Sequence, residues 1–66
     1  MMINITDEQR ELFTRYLGEK KLQNDIDEVL DALDDKITEI GFNSDYELNE
    51  VGLKLQQLYD QLYNQN

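Results

Sequence analysis

The sequence predicts an all-α fold, a small three-helix domain in which a first helix packs across an antiparallel helical hairpin. Three observations support this prediction. Apolar residues recur at intervals of three and four along most of the chain, which places them on one face of a helix. A helix-start signal precedes each of the three periodic segments. The chain also has no Pro-rich or Gly/Ser-rich linker, so its helices belong to one domain.

The first helix is predicted over residues 7–18. Its start, Thr6-Asp7-Glu8-Gln9, has the form of a capping box, in which the Thr and Gln side chains each bond a free backbone N–H group. Gly18 is typical of a helix end. Its apolar residues fall at helical spacing: Leu12, Phe13, Tyr16 and Leu17. The last three are expected to pack this helix across the hairpin.

The second helix is predicted over residues 25–40, with Asn24 as its N-cap and Gly41 as its end. Acidic residues fill its first turn, where the helix dipole favours negative charge. An apolar stripe, widened by Val29, runs along one face of this helix: Ile26, Leu30, Leu33, Ile37 and Ile40.

The third helix is predicted over residues 45–63, because Ser44-Asp45-Tyr46-Glu47 has the form of a second capping box. A short connection makes the second and third helices antiparallel neighbours whose apolar stripes face each other. Phe42 is expected to close the end of this seam, and the polar tail from Tyr63 to Asn66 is expected to fray. The stripe of the third helix comprises Leu48, Val51, Leu55, Leu58 and Leu62.

Length and composition limit how this protein can be stabilised. Its 66 residues make one domain, residues 1–66, which buries only about 60% of the surface that its unfolded chain exposes. The chain lacks cysteine and histidine, so helix packing or self-association must replace disulfides and zinc. The lack of cysteine favours the cytoplasm. No apolar run is long enough to span a membrane, and Met1–Ile5 is too short and uncharged for a signal peptide.

Charge is divided unequally along the chain. Residues 1–23 carry four acids and four bases, whereas residues 24–66 carry eleven acids and two bases, so the net charge of −9 belongs to the second segment. A negative surface repels nucleic-acid phosphates and anionic lipids. We therefore expect no direct nucleic-acid or membrane partner, and instead a basic protein partner.

The residue types that catalysis or metal binding requires are scarce. Without His or Cys, and with Ser44 assigned to a cap, no nucleophile–base pair can be built. The chain shows no calcium-loop pattern, and its isolated glycines form no phosphate-binding loop. Paired carboxylates need a cleft, for which three short helices leave little room. The sequence therefore predicts no catalytic residue, no metal site and no cofactor.

The acidic side of the second helix is the strongest local signal. Asp27, Asp31, Asp34 and Asp35 lie at spacings that share one helical face, with roughly one charge per turn of about 5.4 Å. Such a row of carboxylates can imitate nucleic-acid phosphates and occupy a basic groove of a DNA-binding protein. The alternative is an ordinary solvated face, although this leaves the excess of acid over base unexplained.

The third helix carries apolar groups beside its stripe. Leu53 and Tyr59, with Tyr46 and Tyr63, are candidates for a docking or dimer surface, because tyrosine is favoured at interfaces. The alternative is partial burial against the first helix. Gly52 costs about 1 kcal/mol relative to alanine inside a helix. Either the first helix or a second subunit approaches Gly52 closely, or the glycine is a tolerated imperfection of the helix.

The hairpin also resembles the small helical-hairpin phosphatases that act on aspartyl-phosphate in sporulation regulators. The likeness covers about 40 residues and rests on Ile26-Asp27-Glu28, the Gly41-Phe42 turn and the leucine-rich third helix. That family carries a Ser-Gln-Glu-Leu-Asp motif on its second helix, where this chain reads Gly52-Leu53-Lys54-Leu55-Gln56. Only the leucine is shared, so no functional residue is transferred.

These observations favour a noncatalytic, acidic protein–protein interaction module, a small inhibitor or regulator that occupies a basic site of its partner. Its size and composition suit a phage or mobile-element protein. The alternative is a self-associating accessory protein, a homodimer whose acidity only keeps it soluble, and a hairpin phosphatase is the third interpretation. Salt separates the first two, because electrostatic binding weakens as ionic strength rises and apolar association does not.

Overall fold

The computed structural model of this chain describes residues 3–66, and the all-α prediction is confirmed. Three α-helices follow one another: α1 spans Asp7–Leu17, α2 spans Ile26–Ile40 and α3 spans Glu50–Gln65. A 3₁₀ helix, Glu19–Gln23, joins α1 to α2. The α2 and α3 helices form the predicted hairpin, and α1 packs across it. The expectation that Met1–Ile5 is no signal peptide falls partly on residues 1–2, which lie outside the described range.

Local capping fixes both ends of α1, as predicted. The Thr6 hydroxyl accepts a hydrogen bond from the Gln9 backbone N–H at 3.2 Å, and the Gln9 side-chain oxygen accepts one from the Thr6 N–H at 3.0 Å. Gly18 ends the helix at φ 92° and ψ 148°, a backbone conformation that is essentially restricted to glycine. The chain therefore turns from α1 directly into the 3₁₀ helix.

The start of α2 differs from the prediction by one residue. Asn24 is not its N-cap, because Asn24 ends the 3₁₀ helix, where its N–H donates to the Lys21 carbonyl at 3.4 Å. Asp25 takes the N-cap position without a side-chain hydrogen bond to the helix. A 3₁₀ helix of five residues is too short to produce a periodic apolar pattern, so the sequence shows no signal for it.

The start of α3 is the largest departure from the prediction. The expected capping box at residues 44–47 does not form, and the helix begins at Glu50. Asn49 is its N-cap, with a side-chain oxygen that accepts the Gly52 N–H at 2.8 Å. Residues 41–49 form a longer connection than the few residues expected.

A network around Asn43 explains why the expected capping box is absent. The Asn43 side-chain oxygen accepts the backbone N–H groups of Asp45 at 3.0 Å and Glu47 at 3.2 Å. The Asn43 N–H in turn donates to the Glu47 carbonyl at 2.9 Å, and Phe42 pairs with Leu48 in an isolated antiparallel bridge. In this turn, backbone N–H and C=O groups that would otherwise bond within a helix find their hydrogen-bond partners locally.

The end of α3 is also more ordered than predicted. Instead of fraying after residue 63, α3 continues to Gln65, and its last residues bond the N-terminal segment. Asn4 donates its backbone N–H to the Asn66 side chain at 2.8 Å and its side-chain amide to the Gln65 carbonyl at 3.0 Å. Gln65 also bonds the Gln9 side chain at the start of α1. Partners distant in sequence therefore hold the tail.

The predicted apolar stripes form one core between the three helices. Phe13 of α1 is fully buried where α1 packs across the hairpin. Leu33 of α2 and Leu55 of α3 are also fully buried. Leu12, Tyr16 and Leu17 are half-buried against this core. Among the described residues the buried apolar set is Ile3, Phe13, Leu22, Val29, Leu30, Leu33, Ile37, Leu55, Leu58 and Leu62.

Two glycines allow the ends of α2 and α3 to touch through their backbones. A Cβ atom added to Gly52 would lie 2.9 Å from the Gly41 Cα, and one added to Gly41 would lie 3.0 Å from the Gly52 Cα. Gly52 is therefore closely approached, which was one of the alternatives left open by the sequence, but its partner is Gly41 rather than the first helix or a second subunit. Phe42 is 43% exposed and does not close the seam, because this glycine contact closes it.

Candidate interaction surface

The carboxylates of α2 lie on the side of the helix that faces away from the core. Val29, Leu33 and Ile37 turn toward the core and are buried. The opposite side, which we call the acidic face, holds the four predicted residues, all exposed: Asp27, Asp31, Asp34 and Asp35. At about 100° per residue, these four fall within an arc of about 100° around α2. The structure therefore brings the predicted carboxylates together along one surface.

The ion pairs of residues 3–66 lie away from the acidic face. On α2, Lys36 pairs with Glu39 at 3.3 Å, and the two other ion pairs of the described chain join arginines of α1 to glutamates on α1 or the 3₁₀ helix, at 3.8 Å each. Within residues 3–66, none of these ion pairs involves a carboxylate of the acidic face. In this part of the chain the four charges therefore have no ion-pair partner.

The acidic face carries its negative charge along the helix and does not concentrate it at one binding site. In the part of the chain that the structure describes, no three acidic side chains converge closely enough to hold a metal ion. A shallow hollow between α2 and α3 has an apolar wall beside Asp27, and its lining consists of Ile26, Asp27, Leu30, Tyr63 and Asn66.

The two apolar candidates on α3 do not form one surface. Leu53 is 52% exposed near the start of α3, whereas Tyr59 is half-buried and packs against the core. They lie six positions apart in the sequence, which places them about 120° apart around the helix. Tyr59 therefore belongs partly to the core, and Leu53 is the member of the pair that is open to a partner. Neither residue lies on α2 beside the acidic face.

Tyr46, a candidate docking residue that the sequence placed on the third helix, lies instead in the α2–α3 connection. Tyr46 is 88% exposed and, among residues 3–66, is the one non-glycine residue with a positive φ, 63°. Two signals in the sequence point to this loop. Asn43 followed by Ser44 and Asp45 is a combination typical of turns, and Asn49 is as good an N-cap as Ser44.

Comparisons with known proteins assign no family to this chain. No protein-family model matches it, and searches of curated proteins and of solved structures find no match either. The resemblance to the hairpin phosphatases therefore stays a prediction from the sequence. Within residues 3–66, the helices are all too short or too polar to cross a membrane. We infer the function from the surface alone.

Proposed function

We propose that this protein is a noncatalytic interaction module, an inhibitor or regulator that binds a basic, nucleic-acid-binding surface of a protein partner through the acidic face. One observation carries the proposal. Asp27, Asp31 and Asp34 are exposed along one side of α2, and among residues 3–66 none of them has a basic partner. Their carboxylates are available to lysine or arginine of another protein without the loss of an internal ion pair.

The density of charge supports a phosphate-like role. From Asp27 to Asp35 the helix rises about 12 Å, which gives the acidic face roughly one charge per 4 Å of axis. One DNA strand carries one phosphate per about 3.4 Å of axis. A basic groove that contacts one strand of a DNA duplex would therefore meet a similar density of negative charge. The proposal also places the protein in the cytoplasm, which its lack of cysteine favours.

Affinity capture at low salt tests this proposal. The bait is the full chain, and a second bait is the variant in which Asn replaces Asp27, Asp31 and Asp34. We expect the wild type to retain a basic protein from a lysate of the source organism, duplex DNA to displace that protein, and the Asn variant to lose it. Binding to the purified partner should weaken as salt rises, chiefly through slower association.

The matched control neutralises three acids of the charge-balanced first segment, Glu8, Glu11 and Glu19, by replacement with Gln. Both triple variants change the net charge by the same amount, so a general effect of charge would weaken both equally. We expect the Gln variant to bind as the wild type does. Equal binding by the two triple variants would show that the acidic face is only a solvated surface.

A second candidate is the self-associating accessory protein, which the exposure of Leu53, Phe42 and Tyr46 favours. Such a homodimer would form at high micromolar concentration through apolar contacts. Sedimentation equilibrium distinguishes the two candidates, because apolar association persists or strengthens at high salt whereas binding through the acidic face weakens. A strict monomer at millimolar concentration would exclude the homodimer.

A further inference from the structure

The end of the molecule at the α2–α3 connection carries most of the exposed apolar side chains. Of the five large apolar side chains that are exposed among residues 3–66, four lie there. The contact between Gly41 and Gly52 brings the two helix ends together, and the Phe42 pairing with Leu48 closes the base of the connection. We call the four side chains the apolar tip: Ile40, Phe42, Tyr46 and Leu53.

Tyr46 is the most exposed residue of the apolar tip, at 88%. Its φ of 63° is a left-handed conformation that favours glycine or asparagine. The connection is nonetheless held in one shape, since the Tyr46 N–H donates to the Asn43 carbonyl at 3.1 Å and the Asn43 side chain bonds two further N–H groups. A tyrosine here strains the backbone while its side chain buries little, and strained residues concentrate at binding sites.

Acidic side chains outnumber basic ones around the apolar tip, where Lys54 is an exposed base beside Leu53. Asp45 and Glu47 flank Tyr46 in the connection, and Glu50 lies one turn before Leu53 on α3; all three carboxylates are exposed. Two copies that met tip to tip would bring these carboxylates together, and like-charge repulsion disfavours that arrangement. An apolar pocket bordered by lysine or arginine is complementary to both the aromatic side chain and its acidic border.

We infer that the apolar tip is a second contact with the basic protein partner, and that Tyr46 is the anchor that enters an apolar pocket bordered by lysine or arginine. This inference deepens the proposed function, on which it rests for the basic character of the partner. A preformed connection reduces the ordering that binding requires, and tyrosine is enriched among the residues that dominate interfaces. The acidic face then speeds association, and the apolar tip slows dissociation.

Site-specific photocrosslinking identifies what covers the apolar tip. A benzophenone amino acid replaces Tyr46 in the full chain, and Thr14, which is exposed on α1 and belongs to neither proposed contact, is the control position. We expect position 46 to crosslink to one heterologous protein, at a segment bordered by lysine or arginine, and position 14 not to do so. Crosslinks between two copies of this chain, or none at position 46, would overturn the inference.

Binding of the purified crosslinked protein then tests the anchor. Asparagine accepts the left-handed conformation, so Tyr46→Asn should unfold at the wild-type temperature or above it, and lost binding cannot be ascribed to misfolding. We expect Tyr46→Asn to weaken binding at least about tenfold through faster dissociation, and Tyr46→Phe to bind nearly as well as the wild type. Unchanged binding by Tyr46→Asn would overturn the inference.

The two contacts can fail separately in this experiment. If the variant with Asp27, Asp31 and Asp34 replaced binds as the wild type does while Tyr46→Asn does not, the role of the acidic face is wrong and the apolar tip remains a contact. If Tyr46→Asn binds as the wild type does while the variant of the acidic face does not, the acidic face is the contact and the role of Tyr46 as an anchor is wrong.

Discussion

Among the individual residues, Asn49 joins the ends of two helices. Its side-chain oxygen accepts the Gly52 N–H at 2.8 Å, and its side-chain amide donates to the Ile40 carbonyl at 2.9 Å. Its backbone N–H donates to the Gly41 carbonyl at 2.8 Å. One asparagine therefore satisfies free backbone groups at the start of α3 and at the end of α2.

Replacing Asn49 with alanine should lower the free energy of unfolding by about 2 kcal/mol, because the N-cap bond and the bond to the Ile40 carbonyl are both lost. Urea denaturation followed by circular dichroism measures this difference. Asn49→Asp keeps the cap acceptor and loses the donor, so its effect should also be destabilising.

Asn24→Ala is the matched control for this residue. Asn24 has the sequence features of an N-cap but does not act as the cap of α2, so its replacement should change the free energy of unfolding by less than about 0.5 kcal/mol. If both replacements lowered the free energy of unfolding by similar amounts, the positions of the α2 and α3 caps would be contradicted.

At the scale of the helices, the crossing of Gly41 and Gly52 decides how closely α2 and α3 pack. Helix propensity alone predicts that Gly52→Ala stabilises the protein by about 1 kcal/mol. The structure predicts the opposite sign, because the added Cβ would lie 2.9 Å from both the Gly41 Cα and its carbonyl carbon. Backbone atoms cannot move aside as a flexible side chain can, so the hairpin end must open.

Gly52→Ala should therefore lower the free energy of unfolding by about 1–3 kcal/mol, the usual range for overpacking. Thermal and urea denaturation both report this change. Gln57→Ala, at an exposed position of the same helix, is the control and should leave stability unchanged or slightly raised. A more stable Gly52→Ala variant would refute the close crossing.

At the scale of the whole molecule, a net charge of −9 is confined within dimensions of 38 × 18 × 18 Å. At about 10 mM salt the screening length is about 30 Å, so carboxylates repel one another across most of the molecule. At about 150 mM salt this length falls to about 8 Å, and the repulsion becomes local. The folded state brings like charges closer than the unfolded chain does, so it bears more of this repulsion.

The unfolding temperature should therefore rise as sodium chloride increases from about 10 to about 150 mM. Replacing Asp27, Asp31 and Asp34 with Asn should raise the unfolding temperature at low salt and reduce its dependence on salt. Differential scanning calorimetry of both proteins measures these shifts. A wild-type unfolding temperature that falls with salt would show that its ion pairs outweigh the repulsion.

The sequence by itself determined the features that depend on neighbours within one helical turn or on helical periodicity. The capping box of Thr6 with Gln9 and the end of α1 at Gly18 are examples. The position of Asp27, Asp31 and Asp34 on a surface opposite the core is another, because a period of about 3.6 residues fixes which side chains share a face. These features need no knowledge of the rest of the fold.

Only the tertiary structure decided which of several locally acceptable patterns formed. Residues 44–47 match a capping box, yet Asn43 holds them in a turn and Asn49 caps α3 nine residues after Ile40, whose carbonyl it also bonds. The C-terminal tail looks frayed by composition, but Asn4, 61 residues away from Gln65, secures it. These outcomes depend on contacts between segments distant in sequence, whose energies a local pattern does not contain.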